Sequence, residues 1–207
     1  GLDETADVSA LIHLRDLRIT GHPSLREIHG LDALLALETV DLSRCGKLNS
    51  IEGLGASTKL KQIQLQGCRS LSRLPPLFQL EYLEELGLSH CSKLRRLDCI
   101  YLHPRLKLFN ISHCPALERL PLLHPKTRAN IRHLYCTHLP QPIDISKVVG
   151  GVPKARLKEI HVENSNVLSL QPLLNCNNLI EITGLEPVIR WKLLLSVAIE
   201  RHDIDWI

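Results

Sequence analysis

The sequence repeats one apolar frame at a fixed spacing of 23 residues, and this repeat limits the possible folds more than any other feature. In each unit apolar residues occupy six positions, and in the first copy these are Leu14, Leu17, Ile19, Leu25, Ile28 and Leu31. Four more copies follow without insertion, starting at Leu37, Leu60, Leu83 and Leu106. A unit of this length cannot bury its apolar side alone, so neighbouring units must stack on one another. The repeat therefore predicts a solenoid.

The composition fits such a repeat and argues against several other classes of protein. Leucine accounts for 42 of the 207 residues, whereas the chain holds two tryptophans, three tyrosines, two phenylalanines and no methionine. A leucine core with so few aromatic residues is unlike the core of an ordinary globular enzyme. The net charge of +3 gives no reason to expect nucleic acid as a partner. The longest apolar run, residues 193–199, is far shorter than the roughly 20 residues of a membrane span, so no membrane is predicted.

The spacing within each unit predicts where the strands lie. In a segment LxxLxL alternate residues point to opposite sides of a short strand, so the leucines face inward and the intervening residues face solvent. The second half of each unit turns the chain back. Prolines in several of these segments favour short 3₁₀ turns or irregular stretches over full helices, at Pro75, Pro76, Pro104 and Pro121.

The complete frame, LxxLxLxxCxxLxxLxxL, resembles the leucine-rich repeat over nearly the whole chain. The resemblance implies an α/β leucine-rich-repeat solenoid in the form of a horseshoe. A curved parallel β-sheet is expected on its concave face, and short 3₁₀ or irregular segments on its convex face.

Both ends depart from the regular repeat. Two degenerate units are predicted to begin at Ile131 and Leu157, and Leu179 begins the stub of a last unit. Running the period backwards aligns Val8 with Leu31, so we expect the chain to begin inside the second half of an earlier repeat, as a piece of a longer protein.

The C-terminal segment is predicted to be a capping helix that covers the last exposed core. The segment 187–200 starts with proline and continues with good helix formers, and two tryptophans lie in or near it. The predicted domains are therefore leucine-rich repeats over residues 1–186, in about seven units, and a helical cap over residues 187–207.

Four of the seven cysteines occupy the same frame position in successive units: Cys45, Cys68, Cys91 and Cys114. We interpret them as small, inward-pointing groups that bond the backbone of the turn in the next unit. A metal ladder is the alternative, but sulfur atoms stacked in a row do not close around one zinc ion. An odd number of cysteines at repeat spacing favours a reducing compartment over a disulfide framework.

A row of histidines is the second candidate site. His90 and His113 hold the same outward position on neighbouring strands, His138 is expected to extend the row, and His133 and His161 lie on nearby strands. Strands about 4.8 Å apart would let two imidazoles share a metal ion, but we expect no carboxylate or cysteine at the flanking outward positions in a ligand-like pattern. Exposed polar residues are the favoured interpretation and a pH-sensitive patch is the intermediate one. No metal and no cofactor are predicted.

The outward strand residues form the predicted binding surface, because partners usually dock on the concave face of a solenoid. Seven basic and seven acidic residues lie there, and this balance disfavours a phosphate backbone as the ligand. Tyr135 is the one aromatic residue expected on this face, so base stacking is unsupported as well. A solvated face is the alternative at any one position, but the whole set favours a polar protein partner. The candidate contact residues are Arg44, Lys61, Glu85, His113, Arg132, Tyr135, His138 and His161.

Catalysis has no support in the sequence. GxSxG, HExxH and a glycine-rich phosphate loop are all absent, and serines beside cysteine or histidine recur because the repeat recurs. The chain is predicted not to be an enzyme.

The form of the copies is more specific than the fold. LETVDLSRCGKLNSIEGL, LKQIQLQGCRSLSRLPPL and LEELGLSHCSKLRRLDCI resemble the LxxLxLxxCxxLxxLP units in plant nucleotide-binding leucine-rich-repeat immune receptors. The resemblance implies a cytoplasmic module that recognises a pathogen effector or a host protein. It also implies an autoinhibitory contact with a nucleotide-binding domain that these 207 residues do not contain. An intracellular leucine-rich-repeat adaptor or regulatory scaffold subunit is the alternative.

Overall fold

Eight short parallel strands form one continuous sheet, one strand for each repeat. The computed structural model describes residues 4–149, 155–174 and 176–185. Ten strands of three residues each are present there, numbered in chain order: β1 Thr5–Asp7, β2 Asp16–Arg18, β3 Glu27–His29, β4 Thr39–Asp41, β5 Gln62–Gln64, β6 Glu85–Gly87, β7 Leu108–Asn110, β8 His133–Tyr135, β9 Glu159–His161 and β10 Glu181–Thr183. The large sheet has the order β10-β9-β8-β7-β6-β5-β4-β2, so consecutive units lie side by side.

The register of this sheet follows the repeat. Val40 pairs with Leu17 and with Ile63, which are 23 residues before and after it. Each strand of this sheet has one inward residue at its centre, and this residue is buried, as in Leu86 and Phe109. The predicted inward leucines form one core that runs through the units. The parallel sheet and the continuous core confirm the predicted α/β repeat solenoid.

The return segments are short, as the prolines predict. Five of them contain one turn of 3₁₀ helix, and these turns are Leu31–Ala33, Leu54–Ala56, Asp98–Ile100, Ile145–Lys147 and Gln171–Leu173. Neighbouring return segments approach closely: a Cβ added at Gly55 would lie 2.0 Å from the carbonyl oxygen of Pro76 in the next unit.

One return segment differs from the prediction. Pro125–Asn130 forms a six-residue α-helix, α1, with Pro125 in its first turn. The side chain of His124 caps this helix by accepting a hydrogen bond from the backbone N–H of Lys126. This helix belongs to a longer unit, because the strand centres Phe109 and Leu134 are 25 residues apart instead of 23.

The ends of the described chain continue the stacking. At the N-terminal end, β1 pairs with β3 as a separate two-stranded sheet on the return side, so it occupies the place of the second half of a unit. At the other end, the stub predicted at Leu179 forms β10, which pairs with β9. The capping helix predicted for residues 187–207 lies outside the described residues. In the part of the chain that the structure describes, no helix has the length and apolar character of a membrane span.

Candidate functional site

The solvent-facing side of the large sheet, called the sheet face below, ends in a row of residues with left-handed backbone. Each member of this row is the fourth residue after a strand centre, and its φ is positive: Gly21, Arg44, Gly67, His90, His113, His138 and Asn164, with φ between 51° and 78°. Each amide of the first six donates a hydrogen bond to a carbonyl of the next unit, as from His113 to Thr137 at 2.9 Å. These bonds hold the row in place, so we call it the αL row.

Three histidines of the αL row stack on one another. The ring centroids of His90 and His113 are 4.3 Å apart, and those of His113 and His138 are 4.0 Å apart. Nε2 of His138 lies 2.7 Å from Nδ2 of Asn164, which continues the row. The predicted extension of the histidine row by His138 is confirmed.

The middle ring of this stack has a lowered pKa. Partial desolvation lowers the pKa of His113, and the neighbouring imidazoles of His138 and His90 lower it further. A proton on His113 would lie between the imidazole rings of His90 and His138. The stack is therefore a place where added charge is disfavoured.

A second cluster on the sheet face joins Tyr135 and His161. Their rings stack at 4.6 Å between centroids, and Nδ1 of His161 lies 2.8 Å from Oγ1 of Thr183. The hydroxyl of Tyr135 donates to Oε2 of Glu159 at 3.3 Å, and Nδ1 of His133 lies 2.9 Å from the same oxygen. The hydrogen bond from His133 is the main cause of the lowered pKa of Glu159. Burial, followed by the Glu159 charge, raises the pKa of Tyr135.

The charged candidates near the centre of the sheet face are paired within it. Lys61 donates to Glu38 at 2.6 Å, and the arrangement recurs two units later with Lys107 and Glu84 at 2.6 Å. Glu85 accepts a longer hydrogen bond, 3.4 Å, from Gln64. These cross-unit pairs fix the side chains in register, because partners 23 residues apart occupy the same place in adjacent units.

Two arginine candidates line separate pockets at opposite ends of the strands. Arg44 lies where the strands end, on a cavity of about 550 Å³ whose other lining residues are Gly46, Gln66, Gly67, Arg69 and His90. Arg132 lies just before β8, on a cavity of about 210 Å³ that also involves Arg105, Lys107 and Arg156. The eight candidates thus do not form one site: the structure separates them into the stack, the Tyr135 cluster, the paired centre and two pockets.

The cysteine ladder is buried as predicted, but its hydrogen bonds run in the opposite direction. The thiol of Cys68 donates to the carbonyl of Leu42 at 3.2 Å, and that of Cys91 to Leu65 at 3.2 Å. Both acceptors lie in the preceding unit, whereas the sequence predicted the turn of the next one. Each accepting carbonyl belongs to the residue directly after a strand. The ladder therefore links each unit to the end of the strand in the preceding unit.

Burial also raises the pKa of these thiols. It raises the pKa of Cys68 to about 12 and that of Cys114 to about 11. All seven cysteines are free. Because the thiolate is the nucleophile and the metal ligand, the raised pKa values disfavour both roles for the ladder at neutral pH.

Two carboxylates lie beside histidines of the sheet face. Glu159 contacts His133, and Oε1 of Glu163 lies 3.9 Å from Nδ1 of His161. Even so, within residues 4–149, 155–174 and 176–185 no group of three or more histidine, cysteine, aspartate or glutamate side chains has a geometry that could hold a metal ion.

Sequence reasoning missed the part of the site that depends on backbone conformation. Gly67 and Arg69 were not candidates, although both line the larger pocket. The sequence did contain one signal of this conformation: one frame position is occupied in turn by Gly21, Arg44, Gly67 and His90. Glycine recurs there because the backbone φ is positive. His133 and Glu159 hold the same outward position in adjacent units, but their pairing depends on the 26-residue spacing of those units.

Comparison with known proteins supports the fold. No protein-family model matches the chain, and no curated protein matches it in sequence. Among solved structures, internalin C2 (InlC2) from Listeria monocytogenes is similar with a TM-score of 0.52 and 16% sequence identity, over 84% of this chain and 83% of that one. This likeness supports a leucine-rich-repeat domain.

Two longer internalins from the same organism are also similar. InlF has a TM-score of 0.48 and 15% identity over 82% of this chain. The functional domain of InlJ, which includes a cysteine ladder, has a TM-score of 0.40 and 15% identity over 83% of this chain. The chain spans 60% of the InlF structure and 49% of the InlJ structure.

Proposed function

We propose that this leucine-rich-repeat chain is a non-enzymatic protein-recognition module and that the sheet face is its recognition surface. The observation that carries the proposal is the continuous display of solvent-facing residues on eight adjacent parallel strands. With strands about 4.8 Å apart, the display is about 34 Å long, which suits a protein partner of standard interface size.

The polar contacts within the sheet face support this function because they fix side chains before a partner arrives. Lys61, Lys107 and His133 each contact a carboxylate of an adjacent strand or unit. Side chains that are already held lose less conformational entropy when a partner docks. The buried thiols, whose pKa values are raised by burial, supply no nucleophile for catalysis.

The finer proposal is that the module is the repeat domain of a plant intracellular immune receptor. In that role it would sense a ligand or effector and keep the receptor inactive in its absence. The repeat form LxxLxLxxCxxLxxLP supports it, and the free, buried thiols suit a reducing cytoplasm. The alternative is an intracellular adaptor or regulatory scaffold. The same observations support it, because both classes use repeats and free thiols. Sequence upstream of residue 1 distinguishes them: a nucleotide-binding domain there supports the receptor.

A charge-reversal experiment tests the recognition surface. Glu85→Lys combined with Arg132→Glu puts like charges against any partner that complements the sheet face, and juxtaposed like charges cost several kcal/mol. We expect this double variant to lose a partner that the unmodified chain captures from plant extract and that mass spectrometry identifies. The melting temperature should not change.

The matched control reverses a pair away from the strands. Arg96 and Glu118 contact each other at 3.3 Å, so Arg96→Glu with Glu118→Lys exchanges two charges and keeps the attraction. This control should retain the partner. Loss in the control together with retention in the sheet-face variant would place recognition elsewhere on the chain.

A further inference from the structure

The αL row is interrupted at Gly67, and the interruption creates the larger pocket. The members on either side, Arg44 and His90, carry long side chains, whereas Gly67 has none. Two strand spacings separate Arg44 from His90, which is about 10 Å. In the filled part of the row, stacked rings follow one another at 4.3 Å and 4.0 Å. The gap at Gly67 therefore has room for one flat group between a guanidinium and an imidazole.

The lining of this pocket is basic. Arg44 and Arg69 are both exposed, and neither forms an ion pair with any residue of the described chain. Gln66 adds an amide whose Oε1 already accepts from Ser43 at 2.7 Å, which holds that side chain against the pocket wall. Among the described lining residues no carboxylate is present. An anion is the ligand that this lining complements.

Other arginines of the same solenoid show which anion the repeats already pair with. Arg73 contacts Glu52 at 3.3 Å, and Arg119 contacts Asp98 at 3.4 Å, each across neighbouring units. A guanidinium presents its donors in a planar fork that matches a carboxylate. A carboxylate is itself flat, so it can occupy a gap that is one ring thick, whereas a tetrahedral phosphate fits such a gap less well.

We propose that the pocket at Gly67 binds a carboxylate of a partner protein, an aspartate or glutamate side chain, between Arg44 and His90 and against Arg69. That the carboxylate belongs to a protein rests on the proposed function. The bound group fills the vacant place in the αL row: Arg44 and Arg69 donate to its oxygens, and the His90 ring lies against its plane.

The test uses purified protein and a defined probe. An acetylated and amidated peptide of alternating glycine and glutamate is titrated into labelled protein, and NMR follows the His90 ring and the Nε–H signals of Arg44 and Arg69. We expect saturable shifts at all three residues. The same peptide with glutamine in place of glutamate should bind at least tenfold more weakly, as should inorganic phosphate.

The αL row supplies a blocking variant with a matched control. Gly67→Asn puts a side chain into the gap, and Asn164 shows that asparagine adopts positive φ in this row. A Cβ at Gly67 meets Arg44 atoms at 3.5 Å or more, which is ordinary contact. We expect at least a tenfold loss of peptide affinity. Gly21→Asn is the same change at the same repeat position outside the pocket, and it should bind like the unmodified protein.

A second variant separates binding from folding. Arg69→Gln changes an exposed side chain and should weaken the peptide at least tenfold with an unchanged melting temperature. Peptide shifts that persist in Gly67→Asn and Arg69→Gln, equal binding of the glutamine peptide, or tighter binding of phosphate would each overturn the proposal.

Failure of this proposal can be told apart from failure of the proposed function. If the peptide does not bind but the sheet-face reversal still abolishes partner capture, the pocket assignment is wrong and the recognition surface stands. If the peptide binds but the reversal leaves partner capture intact, the pocket assignment stands and the sheet face is not the recognition surface.

Discussion

At the scale of single residues, backbone conformation decides what the αL row can hold. A left-handed backbone is costly for most residues and cheap for glycine and asparagine. Arg44 and three histidines nevertheless occupy it, at φ between 54° and 63°. The hydrogen bond from each of these amides to the next unit compensates for the strain, as from His90 to Ser112 at 2.9 Å. The row is therefore fixed by inter-unit bonding, and its side chains are aligned as a consequence.

The histidine stack predicts that stability depends on pH. The pKa of His113 is lowered in the folded chain, so between that lowered value and its ordinary value of about 6.5 the unfolded chain binds more protons. Stability is then complete above about pH 6.5 and falls as pH decreases toward the folded-state pKa. Urea unfolding from pH 7.5 to 5 should show this fall, and His113→Asn should make it smaller.

Two further histidines serve to interpret that experiment. His103 is buried, with Nε2 2.9 Å from the carbonyl oxygen of Leu77, and burial lowers its pKa, so it contributes a fall of the same sign that remains in His113→Asn. His13→Asn changes an exposed histidine outside the row and is the matched control. If both asparagine variants have the same pH profile as the unmodified chain, the stack does not destabilise the protonated form.

At the scale of one structural element, the cysteine ladder shows why small residues recur after most strands of the large sheet. A thiol at this position fills the core and donates to a carbonyl at the end of the preceding strand, as Cys114 does to Leu88 at 3.2 Å. In the irregular unit after β9, Ser165 takes the place and donates to the carbonyl of Cys136 at 2.9 Å. A small donor thus occupies this position in five of the seven units from β2 to β9, whereas His22 and Leu139 occupy it in the other two.

Thiol labelling tests this account of the ladder. Cys45, Cys68, Cys91 and Cys114 are buried, so a bulky thiol reagent should modify them only after unfolding. Cys99 is half-buried and should react first. Mass spectrometry after timed labelling gives the order, and ladder thiols that react as fast as Cys99 would contradict their burial. Cys176 also lies outside the ladder, but its thiol is buried and should be protected.

At the scale of the whole molecule, the solenoid distributes its stability over contacts between neighbouring units. The strand pairs β4–β5, β5–β6, β6–β7 and β7–β8 repeat one arrangement, and the core runs through them without interruption. A residue in a middle unit therefore packs against two neighbours, whereas one at the edge of the sheet packs against one.

Truncation of a central leucine tests the inward and outward assignment. Leu86, at the centre of β6, is fully buried, so Leu86→Ala should reduce the free energy of unfolding by about 2 to 5 kcal/mol. Glu85→Ala, one residue earlier on the sheet face, should reduce it by less than about 1 kcal/mol. Urea melts of both variants measure the difference. Equal midpoints would show that the two residues do not point to opposite sides of the sheet.

The sequence by itself determined the repeat, the strand positions, the inward leucines and the buried ladder. These depend on hydrophobic periodicity, which is local and recurs with the chain. Only the tertiary structure decided which outward residues meet. His90, His113 and His138 stack because the units lie in register, and the pairing of His133 with Glu159 depends on a 26-residue unit that breaks the period. The pocket at Gly67 exists because one residue of the αL row lacks a side chain between two that have one. Contacts of this kind depend on the distance between side chains of neighbouring units. The hydrophobic periodicity of the sequence does not specify that distance.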